Sequence, residues 1–125
     1  MKPARLLHLW VPPAALMALL YLASSTDDLP AVDLISDKLI HLGAYTLLGL
    51  LFLRAFHGGL PAALRWLPTL GAVLSTAAYG GLDEIHQGFV EGRVRELADF
   101  AADLAGAILA TLLLAVWIRF FRGKP

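Results

Sequence analysis

Four long apolar runs, divided by turn signals, constrain this chain more than any other feature. They cover roughly residues 6–23, 39–56, 66–82 and 97–118, and the second is broken only by His41 and Arg54. Each is about 17 to 22 residues long, close to the ~20 that an α-helix needs to cross hydrocarbon. Inside a bilayer the backbone finds no water to bond, so only helices and closed barrels cross. Barrel strands would read as alternating segments of ~10 residues. These runs are continuous, which selects helices. The composition agrees: 58% of the 125 residues are hydrophobic, 16% are charged and the mean hydropathy is +0.70, whereas a soluble domain carries about 25% charge. The expected fold is all-α, an integral membrane bundle of four transmembrane helices forming one domain over residues 1–125.

The connections carry the punctuation. Ser24-Ser25-Thr26-Asp27-Asp28-Leu29-Pro30 closes the first span, His57-Gly58-Gly59-Leu60-Pro61 the second, and Gly88 and Gly92 mark the third connection. Charge then orients the bundle. With four spans, Lys2, Arg5, Arg54, Arg65, Arg119, Arg122 and Lys124 fall on one side, and only Lys38, Arg93 and Arg95 on the other. The Lys/Arg-rich side is cytoplasmic, so both termini are expected in the cytoplasm and all ten acids at the outer end. A cleaved signal peptide ending near Leu22-Ala23-Ser24-Ser25 is the competing reading of the first span. The length of that run and its Pro12-Pro13 pair count against it.

The ten basic and ten acidic residues cancel, which argues against a nucleic-acid partner, since that needs a basic face. There is no cysteine, so disulfides, thiolate catalysis and cysteine-bound metals are excluded.

Helical spacing places the polar residues. Asp37, His41 and Tyr45 form one stripe entering the second span from its outer end. Thr76, Gly80, Asp83 and Gln87 share a face of the third. Asp99, Ala102, Asp103 and Gly106 share a face of the fourth, beside a ladder of small residues, Ala98, Ala102, Gly106 and Ala110. Small residues let membrane helices approach closely, so these acids should face protein. Gly71 and Ser75 offer a similar smooth surface on the third span. Three helices thus bring Asp37, Lys38, His41, Tyr45, Asp83, Glu84, Gln87, Arg93, Asp99 and Asp103 towards one pocket near the outer leaflet. Ionisable groups at such depth cost energy and mark function by default.

Each group has two readings. Asp83, Glu84 and Gln87 form either a polar platform for a head group or metal, or a hydrated helix end. His41 is either a general base, its unperturbed pKa being near neutrality, or a hydrogen-bonding joint between helices. With Asp83 and Glu84 it makes the candidate acid–base set. His86 reads as structural. Arg93 presents a guanidinium fork suited to phosphate, reinforced by Lys38 and Arg95, or else folds back as an ion pair onto Asp83, Glu84 or Asp99. Asp37, Lys38, Tyr45, Gln87, Arg93, Asp99 and Asp103 are the candidate ligand-binding residues. His41, Asp83, Glu84, Asp99 and Asp103 offer nitrogen and oxygen donors, but no HExxH, paired-cysteine or EF-hand spacing occurs. No metal site is therefore assigned, and the cofactor is left open, with Mg²⁺ or Ca²⁺ the ions that suit an oxygen-rich set. Ser24, Ser25, Ser36 and Ser75 have no nucleophile-elbow setting, and Trp10, Trp66 and Trp117 read as interface anchors.

The pattern Asp37-Lys38-x-x-His41-x-x-x-Tyr45, then Asp83-Glu84-x-x-Gln87-Gly88-Phe89, Gly92-Arg93, Asp99 and Gly106, resembles the VanZ-like family over roughly residues 35–110. That resemblance implies a small bacterial protein of the cytoplasmic membrane, in a family named for a member associated with resistance to teicoplanin. It implies the cell envelope without supplying a reaction. Two positions depart from the family pattern: Glu91 stands where a proline commonly precedes Gly-Arg, and Asp103 where asparagine is common. The expected function is binding or processing of an envelope lipid, a lipid-linked precursor or its phosphorylated head group, with glycopeptide resistance or envelope maintenance as the outcome; enzyme and binder both stay open. The alternative is a small scaffold or transport protein whose polar cluster is structural. A transporter needs a polar path to the inner half, where only Thr46, Thr69 and Thr111 are available.

Overall fold

The computed structural model describes residues 2–26 and 37–122. Among these, four helices run in order: α1 (Pro3–Ser24), α2 (Asp37–Phe56), α3 (Trp66–Gln87) and α4 (Leu97–Trp117), the last continuing as a π-helical turn over Ile118–Arg122. Each contains the apolar run expected of it. α1, α2 and α4 are long and apolar enough to cross a membrane. α3 is not among them, because Thr69, Ser75, Thr76 and three glycines dilute its apolar character before Asp83 and Glu84 are reached. The expected turn around 24–30 lies partly, and Ser36 and Lys124 wholly, outside the described residues.

The helices alternate in direction. At one end Arg5 donates to the Gly58 carbonyl (2.7 Å), Arg54 to that of His8 (3.1 Å) and Arg122 to that of Leu60 (2.8 Å). The start of α1, the end of α2, the loop after it and the end of the chain therefore meet there. At the opposite end the close of α1 meets that of α3, through Ser25 Oγ and His86 Nε2 at 3.0 Å, and the starts of α2 and α4 lie beside them.

α2 and α4 make the closest crossing, and the reason is small residues on both. A Cβ on Gly106 would fall 2.8 Å from the Thr46 amide nitrogen and 2.9 Å from the Leu42 carbonyl oxygen. One on Gly49 would fall 2.8 Å from the Ala110 Cβ. Gly106 and Ala110 of the small-residue ladder therefore pack inside this chain; Ala102 is half-buried and Ala98 exposed. Between the helices Leu48, Phe52, Leu53, Ala72 and Leu114 make the core with Tyr45. Large apolar side chains such as Leu19, Leu47, Leu74 and Leu112 stay outside, each half or more exposed. In water that surface would be a liability; in lipid it is the solvated face.

α1 leans on α2 and α3 more loosely. Trp10 meets Phe56 edge-on with ring centroids 5.1 Å apart, and the Tyr79 hydroxyl donates to the Met17 carbonyl at 2.5 Å. Pro12 and Pro13 are accommodated within an unbroken α1.

Candidate functional site

The three stripes converge as their spacing requires. At the end of the bundle that holds the close of α3, His41, Asp83, Glu84, Gln87, Asp99 and Asp103 are all buried, none more than 9% exposed, with Tyr45 and Thr76 beneath them. Asp37 is exposed at the rim. Gly80 makes the convergence possible: a Cβ there would stand 2.9 Å from Asp103 Oδ2 and 3.2 Å from Tyr45 Cε1.

Asp83 is held from three helices. Its Oδ1 accepts from Ser24 Oγ of α1. Its Oδ2 accepts from the Tyr45 hydroxyl of α2 at 3.1 Å and from Gln87 Nε2, one turn along α3, at 3.4 Å. The Ser24 hydroxyl also reaches the Leu20 carbonyl (2.8 Å), so its single proton serves two acceptors. Tyr45 stacks between the His41 and Tyr79 rings, each centroid 6.2 Å away.

Lys38 closes the rim. Its ammonium lies 2.6 Å from Glu96 Oε2, 2.7 Å from Asp99 Oδ1 and 4.0 Å from Asp37 Oδ2. Asp99 Oδ1 has no well-aligned hydrogen bond, but the adjacent ammonium neutralises it.

The remaining groups are less well served. His41 Nδ1 and Asp103 Oδ1 are 2.8 Å apart, and Glu84 Oε2 accepts the Glu96 backbone N–H at 3.2 Å. Glu84 Oε1 and Asp103 Oδ2 are buried with no hydrogen-bond partner among the described residues. Chemically, His41 and Asp103 form an imidazole–carboxylate pair, the arrangement that orients a histidine for proton transfer or for metal binding.

The arginines do not pair with the acids among the described residues. Arg93 donates from Nε to the Thr26 carbonyl (3.1 Å) and from a terminal nitrogen to that of Ala23 (3.0 Å). It binds the end of α1, where carbonyls have no partner further along the helix, rather than Asp83, Glu84 or Asp99. Arg95 instead lines an open cleft of about 430 Å³ between α3 and α4, with Gly81, Glu84, Glu96, Leu97 and Phe100. Gly92 lets the intervening loop turn, with φ 81°; Gly88 has ordinary helical geometry. His86 stacks on Tyr21 with centroids 4.4 Å apart and helps fasten α1 to α3.

Sequence reasoning missed two contributions. Ser24 was legible only as part of a turn, and its role depends on how α1 leans. Glu96 precedes α4 and carries no spacing signal, yet its backbone N–H holds Glu84 and its carboxylate holds Lys38. Comparison with curated proteins found no match, and neither did comparison with solved structures. The VanZ/LLP1 family model matches residues 7–119, which reaches into all four helices and takes in every polar group of this site, so the chain belongs to the VanZ/LLP1 family.

Proposed function

We propose that the protein binds the phosphorylated head group of a cell-envelope lipid at this end of the bundle, in the outer leaflet of the cytoplasmic membrane. All four helices then cross, and both termini lie in the cytoplasm. The observation that carries the reading is the cleft between α3 and α4. Its wall is apolar at Leu97 and Phe100, Arg95 stands in its lining, and Glu84 of the buried cluster lines it too. That mixture suits a molecule with an acyl part and a charged head. Arg95 takes the phosphate, as a guanidinium fork is shaped to do. Arg93 holds α1 in place beside it. His41, paired with Asp103, is the group placed for acid–base chemistry on a bound head. Envelope maintenance, with altered sensitivity to glycopeptides, is the cellular outcome this reading proposes.

The test is saturable binding of anionic phospholipid to detergent-purified protein, followed by native mass spectrometry. Arg95→Ala should weaken it at least tenfold and Arg93→Ala much less. Equal binding by wild type and Arg95→Ala would sink the reading.

A second reading is favoured by Asp83, whose two oxygens join α1, α2 and α3. On it the cluster fastens helices of a membrane scaffold, and a stoichiometric protein partner co-purifies without lipid. A transport path has less support. The hydroxyls of Thr46, Thr69 and Thr111 bond back to carbonyls of Leu42, Arg65 and Ala107, and Leu48, Phe52 and Leu53 fill the space below the site.

A further inference from the structure

Among the described residues four carboxylates are buried at this end of the bundle, those of Asp83, Glu84, Asp99 and Asp103. Asp83 is satisfied by neutral donors and Asp99 by the Lys38 ammonium. Among the described residues Glu84 and Asp103 keep one unpartnered oxygen each, and the His41 imidazole lies against Asp103. A buried charge without a partner is costly. Either these two acids hold protons or a cation neutralises them.

The geometry favours a cation. His41, Glu84 and Asp103 each offer a donor atom, and the three atoms lie within 4.8 Å of one another. A single ion with bonds of about 2.0–2.2 Å reaches atoms up to about 4.4 Å apart, so small side-chain rotations bring all three onto one ion. His41 Nδ1 and Asp103 Oδ1, 2.8 Å apart, are spaced as neighbouring ligands of such an ion. Gly80, one helical turn before Glu84, leaves Asp103 Oδ2 the room that a Cβ would fill. A second trio, Asp37, His41 and Asp99, is equally close, but Lys38 already supplies its positive charge.

We propose that His41, Glu84 and Asp103 bind one divalent transition-metal ion of the Mn²⁺ or Zn²⁺ type, His41 then serving as a ligand in place of an acid–base group. One imidazole with two carboxylates is a ligand set for such ions, whereas Mg²⁺ and Ca²⁺ prefer oxygen alone. Binding displaces the proton shared by Nδ1 and Oδ1, which leaves to solvent. Glu84 also lines the cleft, so an ion on it gives a phosphate a second positive partner besides Arg95. To that extent the inference rests on the lipid-binding reading and deepens it.

The experiment uses full-length protein in detergent, stripped with chelator and titrated with Mn²⁺ or Zn²⁺ in the absence of lipid. Calorimetry should give one ion per chain, bound at least tenfold tighter than Mg²⁺ or Ca²⁺. Glu84→Gln and Asp103→Asn should each lose tenfold or more, and Asp37→Asn should lose less than twofold. Electron paramagnetic resonance of Mn²⁺ on the wild type, with and without ¹⁵N-histidine, gives a readout independent of whether the variants fold: nitrogen coupling is expected. No stoichiometric binding, a Mn²⁺ spectrum without nitrogen coupling, or undiminished affinity in both folded site variants would overturn the proposal. Lipid binding that depends on Arg95 in a protein that takes up no metal would leave the function standing and remove the ion. Metal uptake without lipid binding would do the reverse.

Discussion

Asp83 and Asp103 are both buried carboxylates, on facing helices, yet their surroundings differ. Asp83 accepts from Ser24, Tyr45 and Gln87. Removing one donor should cost modestly, since interhelical hydrogen bonds in membranes average ~0.6 kcal/mol; Tyr45→Phe should therefore lower stability by about 0.5–1.5 kcal/mol, read from unfolding in a denaturing detergent. Asp103 has one oxygen bonded to His41 and one with no hydrogen-bond partner among the described residues. Gly80→Ala drives a Cβ towards that second oxygen and the Tyr45 ring. Overpacking of this kind costs about 1–3 kcal/mol, and it should also weaken metal uptake, measured by the same calorimetry. Helical spacing alone placed Asp37, His41 and Tyr45, then Thr76, Gly80, Asp83 and Gln87, on shared faces. It did not distinguish the satisfied acid from the unsatisfied one, because that depends on which donors neighbouring helices bring.

Among the elements, α2 and α4 are locked by glycines while α1 is held by a few polar contacts. Gly106→Ala would press a methyl group against the backbone of Leu42, Tyr45 and Thr46, which cannot rotate aside. The expected cost is about 1–3 kcal/mol. Ala98→Leu, at the exposed rung of the same ladder, should leave stability unchanged within about 0.5 kcal/mol. The ladder was visible in the sequence as small residues four apart; its partner Gly49 was hidden in an apolar run where nothing marks one glycine as a crossing point. α1 depends on Arg93, whose two bonds reach the carbonyls of Ala23 and Thr26. Arg93→Ala should speed amide hydrogen exchange over residues 20–26 about tenfold, with little change in α2 and α4. The guanidinium suggested an anion or acid partner because sequence shows charges and not the unpaired carbonyls at a helix end.

For the whole molecule, the distribution of charge and the alternation of helices make one statement. Arginines at one end bind backbone carbonyls, and acids gather at the other. The absence of cysteine makes orientation testable: Lys2→Cys and Glu91→Cys, each the sole thiol, should be labelled by an impermeant maleimide from opposite faces of the membrane, Glu91→Cys from outside. The central claim is that the bundle end is part fastening and part binding site. Thermal stability in detergent with chelator tests it most directly, comparing Asp83→Asn with Glu84→Gln and Asp103→Asn. Asp83→Asn should lose about 1–3 kcal/mol, as a buried hydrogen-bonded group does. Glu84→Gln and Asp103→Asn should hold or gain stability, because each replaces a buried acid that carries an unpartnered oxygen, kept at a structural cost as in many active sites. Collapse of all three alike would contradict the account and make the whole cluster a fastening between helices.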